Sequence, residues 1–347
     1  MEFKPKLMAT ALPGMPHKDV GLACDVMLRY FPQAPGIPRV GSLEKLQLDG
    51  LPCLKADPAG GGLSFELSGR ESELVEFYDK YLSGDLEYFA VKPEYDPAMH
   101  RLAELFARGR CPELKILHFS VRGPYTYGLV IKDEQGSPAF YNETMRDLLV
   151  KHFAMKARWR EKQVAELFPG VQTLVSIGEA GLGVYSSAGG SGSWEAIKNA
   201  INEVTAAIGG IRCIHCCGNF DWSMLMRTDT ACLNFDTYQY GDTMPLYADE
   251  LQRFLERGGL VAWGITPTAG GGGDVTNETP ASLEARFEAV IDSICERGVD
   301  RERLLEASML SPTCSTNTLS VELSDRVYQL TAEVARSLRQ KYFPGDF

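Results

Sequence analysis

The sequence of 347 residues has no apolar run of 18 residues and no cluster of lysine and arginine. A membrane-spanning helix needs about 20 mainly apolar residues, so none is expected. Nucleic acids and anionic membrane surfaces attract clustered cations, and the formal net charge of −11 argues against both partners. The first apolar run is too short for a signal peptide, so we expect a soluble, cytoplasmic protein.

Two nucleotide-binding motifs are also missing. No Gly-x-Gly-x-x-Gly follows a predicted strand, and Gly-x-x-x-x-Gly-Lys-Ser/Thr does not occur. Residues 270–273 are all glycine, but no lysine is near, so we interpret them as a flexible loop rather than a phosphate-binding loop. These absences leave little support for a nucleotide-binding open sheet.

Apolar periodicity predicts about eight strands that alternate with about eight helices. The predicted strands are residues 7–12, 86–91, 114–121, 171–177, 211–217, 231–235, 260–264 and 304–310. Alternation of this kind predicts parallel strands with crossover helices. We therefore expect an α/β fold, a single (β/α)8 TIM barrel over residues 1–347, with an open doubly wound sheet as the alternative. Residues 32–69, rich in proline and glycine, are interpreted as an insertion or hairpin.

Nine cysteines in a chain of this composition indicate thiols or metal ligands rather than a disulfide framework. Residues 211–219, Ile-Arg-Cys-Ile-His-Cys-Cys-Gly-Asn, contain three of them and one of only five histidines. Alternate side chains of a strand share a face, so His215 and Cys217 are expected to point one way and Cys216 the other. An imidazole and a thiolate so placed form half of a zinc site. A buried, cysteine-rich strand with a hydrogen-bonded histidine is the alternative.

The carboxyl ends of later strands offer further ligands. Asp236 ends the strand after 211–217, and Cys314 follows the last strand. With His215 and Cys217 they make a tetrahedral zinc set, and an exchangeable carboxylate would leave a position for an incoming thiol. Alternatively, Asp236 is a helix N-cap before Thr237 and Cys314 is an ordinary buried thiol.

Four motifs together resemble the catalytic domain of cobalamin-independent methionine synthase. They are His-x-Cys-Gly-Asn at 215–219, the acidic residue that ends the next strand, Trp-Gly-Ile-x-Pro-Thr at 263–268 and Ser-Pro-x-Cys at 311–314. More broadly, they look like the superfamily that includes uroporphyrinogen decarboxylase and the corrinoid-linked zinc methyltransferases. Residues 10–17 are similar to the family's opening loop, and 123–126 to its Gly-Pro-x-Thr turn. A single barrel is like the family's short core enzymes.

The resemblance implies a zinc-dependent methyltransferase with His215, Cys217, Asp236 and Cys314 as metal ligands. Zinc would hold a substrate thiol as thiolate, with homocysteine as the leading candidate. The methyl donor would be methylcobalamin or a methylated corrinoid protein, as for the short core enzymes, and the product methionine. The family carries glutamate where Asp236 stands here.

Two departures from the family concern the substrate. The family's opening loop has Gly-Ser where this sequence has Pro13 and Gly14, and its Asp-Glu-Pro is replaced by Gly-Glu-Ala at 178–180. Gly14 and Glu179 remain candidates for substrate binding, and Glu179 also for catalysis. A solvated carboxylate at a strand end is the alternative for Glu179.

Two further side chains, His118 and Arg122, are candidates for catalysis at the mouth of the barrel, and a third is a candidate for substrate binding there. His118 and Arg122 flank the end of one strand, where Arg122 could bind an acidic group bidentately or form a rim salt bridge. His17 is a candidate for substrate binding, with a surface histidine as the alternative. Residues 186–193 and 269–274, rich in glycine and serine, are predicted to be mobile lids.

Two other functions stay open. A metal-free decarboxylase like uroporphyrinogen decarboxylase would need an arginine-bearing opening loop, and residues 11–17 contain no arginine. A non-catalytic or corrinoid-handling barrel is favoured by the loss of the family's homocysteine-recognition residues. The expected partners are a small-molecule thiol and, where the methyl donor is protein-bound, a corrinoid protein, but neither nucleic acid nor membrane.

Overall fold

The computed structural model describes residues 3–56, 63–187, 193–268 and 273–346. Its strands are β1 (Met8–Ala9), β2 (Leu54–Ala56), β3 (Leu63–Phe65), β4 (Ile116–Arg122), β5 (Gln172–Gly178), β6 (Ile211–Cys216), β7 (Cys232–Asp236), β8 (Leu260–Thr266) and β9 (Ser308–Pro312). Its α-helices are α1 (Val20–Tyr30), α2 (Leu43–Leu48), α3 (Glu71–Ser83), α4 (Pro97–Ala107), α5 (Pro124–Val130), α6 (Glu143–Leu167), α7 (Gly181–Ser187), α8 (Trp194–Ala206), α9 (Trp222–Met226), α10 (Thr237–Tyr240), α11 (Ala248–Glu256), α12 (Pro280–Cys295), α13 (Arg301–Glu306) and α14 (Val321–Tyr342).

The main sheet is parallel and curled. Within the described residues it has seven strands in the order β1-β9-β8-β7-β6-β5-β4. Strands that follow one another from β4 to β9 are also neighbours in space, and helices connect them, as in repeated βαβ units. The predicted α/β class with parallel strands is therefore confirmed. Strands β2 and β3 form a separate antiparallel pair.

An irregular segment, residues 33–39, lies between β1 and β4, where the described residues contain no regular strand. The backbone N–H of Ile116 donates to Gln33 O, and the N–H of Arg39 donates to Pro13 O. Proline has no N–H and rarely joins a continuous ladder, so this Pro-rich segment pairs only in isolated bridges. Residues 32–69 were expected to be only an insertion or hairpin. The apolar periodicity of the segment is too weak to predict its place beside the sheet.

The strand predicted at residues 86–91 was wrong. Leu86–Phe89 is a 3-10 helix. Periodicity alone does not distinguish a strand from a helix in a short apolar run. Here Phe89 packs among helices rather than in the sheet. The Phe89 ring lies 5.5 Å from that of Phe77 and 6.2 Å from that of His152, measured between centroids.

Alternation along the strands separates two cores. Outward side chains such as Val175, Ile214 and Phe235 join the large cluster under the helices. Inward side chains at the amino ends form a second apolar cluster that includes Leu174, Cys213 and Cys232. Two residues further along the same face, these strands carry polar side chains: Ser176, His215 and Asn234. The inner face thus changes from apolar to polar toward the carboxyl ends.

Helix starts follow local sequence signals. The Asn142 side chain accepts from Met145 N–H and caps α6, and Thr279 and Ser282 form a capping box at α12. Among the helices described, none combines the length and apolar character that crossing a bilayer requires.

A buried ion pair joins the start of α4 to α6. Arg160 Nη2 lies 2.7 Å from Asp96 Oδ2, and both side chains are almost fully buried. Burial raises the pKa of Asp96, and the Arg160 guanidinium opposes that shift. A buried carboxylate of this kind depends on its cation.

We expect Arg160→Met to destabilise the fold by about 3–5 kcal/mol, because it leaves Asp96 buried without its cation. Equilibrium unfolding in urea measures the change. The matched control is Arg101→Met, which breaks the more exposed Arg101–Glu104 pair on α4 and should cost about 1 kcal/mol or less. Equal losses in the two variants would contradict a stabilising role for the buried pair.

Candidate metal centre and its pocket

His215, Cys217 and Cys314 meet at the carboxyl end of the sheet. His215 lies in β6, Cys217 follows that strand directly, and Cys314 lies two residues beyond β9. One potential ligand atom from each residue lies within 4.8 Å of the other two. The imidazole is buried, the two cysteines are partly buried, and all three line a cavity of about 680 Å³. The cluster is therefore open to a small molecule.

Hydrogen bonds orient the His215 ring. Its Nδ1 lies 2.6 Å from Asn234 Oδ1. The Asn234 amide donates from Nδ2 to Ala262 O at 2.7 Å and to Ser311 Oγ at 2.9 Å, which leaves Oδ1 as an acceptor. His215 Nδ1 therefore carries a proton, and a neutral ring would present its lone pair on Nε2. Nε2 is buried without an aligned hydrogen-bond partner among the described residues.

A hydrogen bond joins the two cysteine sulfurs and shifts the pKa of each. Their mutual hydrogen bond lowers the pKa of Cys314 to about 7 and raises the pKa of Cys217 to about 12. One thiolate is thus accessible near neutral pH even before any cation binds. An imidazole nitrogen with two cysteine sulfurs is a donor set that Zn²⁺ prefers.

Asp236 lies outside this three-residue cluster. Its side chain caps α10: Oδ1 accepts from Gln239 N–H at 2.9 Å, and Oδ2 accepts from Gln239 Nε2 at 3.0 Å. Burial raises its pKa to about 6. Asp236, predicted to be the fourth ligand, therefore makes the contacts of a helix N-cap, which was the alternative interpretation.

Glu179 is fully buried and does not line the cavity. Its carboxylate accepts hydrogen bonds from Tyr125 N–H at 3.0 Å, Thr126 N–H at 2.8 Å and Thr126 Oγ1 at 2.5 Å, at the first turn of α5. A Cβ on Gly123 would lie only 2.0 Å from Glu179 Cδ, so glycine is required there. These contacts anchor a helix start and do not face a substrate.

His118 is also buried and does not line the cavity. Its Nδ1 lies 3.0 Å from Thr10 Oγ1, and its Nε2 lies 2.7 Å from Ser176 Oγ. Burial lowers its pKa to about 3, so the ring is neutral at physiological pH. The structure gives this predicted catalytic residue two hydroxyl partners inside the sheet.

The opening loop contributes one of its two candidates to the cavity. His17 is buried and lines the cavity, and its Nε2 lies 3.2 Å from Asp325 Oδ1. Gly14 does not line it. The Gly14 carbonyl accepts from Thr316 N–H at 2.9 Å, and a Cβ there would lie 2.7 Å from Arg39 Nη2.

Three basic side chains line the cavity: Lys18, Arg39 and Arg122. Sequence reasoning identified Arg122 but missed the other two. Arg39 belongs to segment 33–39, whose place beside the sheet was not recognised, and Lys18 carried no signal beyond its proximity to His17. The described part of the lining contains no aspartate or glutamate.

The predicted lids cannot be compared with the structure as a whole. Residues 188–192 and 269–272, the greater part of segments 186–193 and 269–274, lie outside the described residues. Their role as lids stays a prediction.

Solved structures with a similar fold include a putative vitamin-B12-independent methionine synthase from Listeria monocytogenes. It is 12% identical, with a TM-score of 0.55 over 93% of this chain and 85% of that chain. A B12-independent methionine synthase from Shewanella sp. W3-18-1 is 12% identical, with a TM-score of 0.49 over 71% of this chain and 67% of that one. A GH113 β-mannanase from Alicyclobacillus acidocaldarius is 11% identical, with a TM-score of 0.44 over 97% of each chain.

No protein-family model and no curated protein sequence matches this chain. At 12% identity, the likeness to the Listeria protein shows a shared fold. The other two likenesses fall below a TM-score of 0.5 and add no support. The resemblance in the motifs is therefore supported at the level of fold, while the chemistry depends on the site itself.

We expect the stability of the protein to depend on the ionisation of Glu179. Burial raises its pKa to about 7 from an unfolded value of 4.5. The unfolded chain therefore loses this proton above pH 4.5, whereas the folded protein keeps it until about pH 7. The stability that the proton contributes is fully present below the unfolded pKa and is lost as pH rises through the folded pKa. Glu179→Gln cannot ionise. The difference in unfolding free energy between wild type and Glu179→Gln should therefore shrink by up to about 3 kcal/mol between pH 5 and pH 8.

Urea unfolding at several pH values measures this difference. Glu113→Gln, which changes an exposed carboxylate, is the matched control and should show no such trend. A pH-independent difference for Glu179→Gln would mean that the helix N–H groups keep Glu179 ionised throughout.

Proposed function

We propose that the protein is a zinc-dependent methyltransferase that activates a thiol substrate for attack on a methyl donor. The observation that carries the proposal is the cluster of His215, Cys217 and Cys314, with ligand atoms within 4.8 Å of one another. The fold shared with a putative methionine synthase and the motif resemblance are consistent with it.

The orientation of His215 and the number of available ligands fit a zinc ion. Asn234 fixes a proton of His215 on Nδ1, so that Nε2 is the nitrogen that a neutral ring would offer to a cation. Catalytic zinc sites commonly use three protein ligands and keep one position open. Because Gln239 engages both carboxylate oxygens of Asp236, the open position falls to the substrate. When bound, zinc would lower the pKa of the substrate thiol and keep it ionised at neutral pH.

The protein side chains then bind and orient the two reactants. The buried imidazole and the strand positions of the ligands set where the thiol sulfur lies, and the cavity walls limit its direction of approach. Homocysteine is the first acceptor to assay and methylcobalamin, free or on a corrinoid protein, the first donor, since both come from the motif resemblance. Glu179 and Gly14 make no contact with the cavity and are no part of this proposal.

We further propose that segment 33–39 acts as the second strand of a closed (β/α)8 barrel, with residues 1–347 as one domain. It bonds to residue 13 on one side and to β4 on the other. Such closure would place Arg39 on the same rim as the carboxyl ends of the regular strands.

The experiment combines metal analysis with a methyl-transfer assay on the purified protein. We expect about one zinc per chain and methylation of an added thiol by methylcobalamin. Cys217→Ser and Cys314→Ser should each lose the zinc and the activity. Cys216→Ala is the matched control and should keep both the zinc and the activity. Its side chain belongs to the large apolar cluster under the helices and not to the group of His215, Cys217 and Cys314.

Two other results would redirect the assignment. Zinc without turnover of any thiol would favour a non-catalytic or corrinoid-handling protein. Absence of zinc, together with equal activity of Cys217→Ser and wild type, would contradict the zinc proposal. It would favour a metal-free decarboxylase of acidic substrates, for which the basic cavity lining is the supporting observation.

A further inference from the structure

We propose that this cavity binds a polyanion: the substrate is an acidic thiol with two or more negative groups, rather than an α-amino acid. The thiol part of this statement rests on the proposed function, and the anion-binding part rests on the cavity lining. The relevant anions are carboxylate and phosphate-like groups, which guanidinium and ammonium groups bind in the same way.

The charge of the cavity is opposite to that of the whole chain. The chain has a formal net charge of −11, yet the described lining contains Lys18, Arg39 and Arg122 and neither aspartate nor glutamate. They come from three separate parts of the chain: the loop before α1, segment 33–39 and the end of β4. Arg122 and the exposed Lys18, which form no ion pair among the described residues, leave positive charge in this concave site that an anion can bind.

Arg122 reaches toward the metal centre. The strand register aligns Arg122 of β4 with Gly178 of β5, and Gly178 with His215 of β6. Arg122 Nη1 lies 4.0 Å from where a Cβ on Gly178 would be, so its guanidinium extends beside the glycine that separates it from His215. Neighbouring strands are about 4.8 Å apart, so one small molecule can span both groups.

The Arg122 side chain is held in place by packing rather than by a direct ion pair. Its guanidinium lies 5.4 Å from the centroid of the Tyr127 ring, and its Nε is buried without a hydrogen-bond partner among the described residues. No carboxylate within the described residues forms an ion pair with it at 4.0 Å or less. A planar guanidinium in this position is suited to bidentate binding of a carboxylate or phosphate group.

An ammonium group finds no matching carboxylate in the described lining. Glu179 is occupied by the first turn of α5, and Asp236 by Gln239. An amino acid would bring its ammonium group near Arg122 and Lys18, whereas a polyacid complements both. The cavity of about 680 Å³ has room for a thiol with several acidic groups.

Calorimetric titration of the zinc-loaded protein with small thiols tests the inference. The probes are mercaptosuccinate, 2-mercaptoethylphosphonate, homocysteine, cysteamine and 2-mercaptoethanol. We expect one or both of the acidic thiols to bind about tenfold or more tightly than the zwitterionic and neutral thiols, with cysteamine weakest. The relative affinities of the two acidic thiols distinguish carboxylate from phosphate-like ligands. Added salt should reduce the preference.

Variants identify the responsible side chains. Arg122→Gln and Lys18→Gln should each weaken binding of the preferred acidic thiol about tenfold and leave 2-mercaptoethanol unchanged. Arg110→Gln, at an exposed site outside the cavity, is the matched control and should bind all probes as wild type does. Unchanged thermal unfolding of each variant shows that the fold is intact.

Four other outcomes separate the inference from the proposed function. If 2-mercaptoethanol binds as tightly as both acidic thiols, the polyanion inference fails and thiol binding stands. If homocysteine or cysteamine binds best, the polyanion inference also fails. If succinate binds as tightly as mercaptosuccinate, the anion site stands and the thiol chemistry fails. If none of these ligands binds, both are overturned.

Discussion

The hydrogen bond between His215 and Asn234 determines what the carboxyl end of this sheet can do chemically. Asn234 is itself held by Ala262 of β8 and Ser311 of β9, so four neighbouring strands decide which imidazole nitrogen carries the proton. The nitrogen that remains lies beside two cysteines. A ligand oriented in this way is preorganised, because neither ring rotation nor a tautomer change is needed when a cation arrives.

The sheet places polar chemistry at one end through simple alternation. Apolar side chains fill the inner face near the amino ends, and polar side chains follow two residues later on the same face. Several buried polar groups of this layer are paired with one another, as His118 is with Thr10 and Ser176. The cavity beyond it therefore combines side chains from the sheet with side chains from less regular segments, including Arg39 and Lys18.

Much of this arrangement followed from local sequence. Parallel strands end on one rim, which is why His215, Cys217 and Cys314 could be expected to meet although Cys217 and Cys314 are 97 positions apart in the sequence. The features that the sequence did not predict depend on tertiary contacts rather than on local periodicity. Segment 33–39 pairs through isolated bridges that leave no apolar period, and residues 86–89 have a short apolar run without a strand partner. Glu179 and Asp236 lie at strand ends as expected, but helix N–H groups take up their carboxylates, a tertiary contact that periodicity does not encode.

X-ray absorption spectroscopy at the zinc edge tests the central claim most directly. We expect a first shell with two sulfurs at about 2.3 Å and one imidazole nitrogen at about 2.0 Å, and a third sulfur after a thiol substrate is added. A shell of only oxygen and nitrogen, or one that does not change with any thiol, would contradict the account.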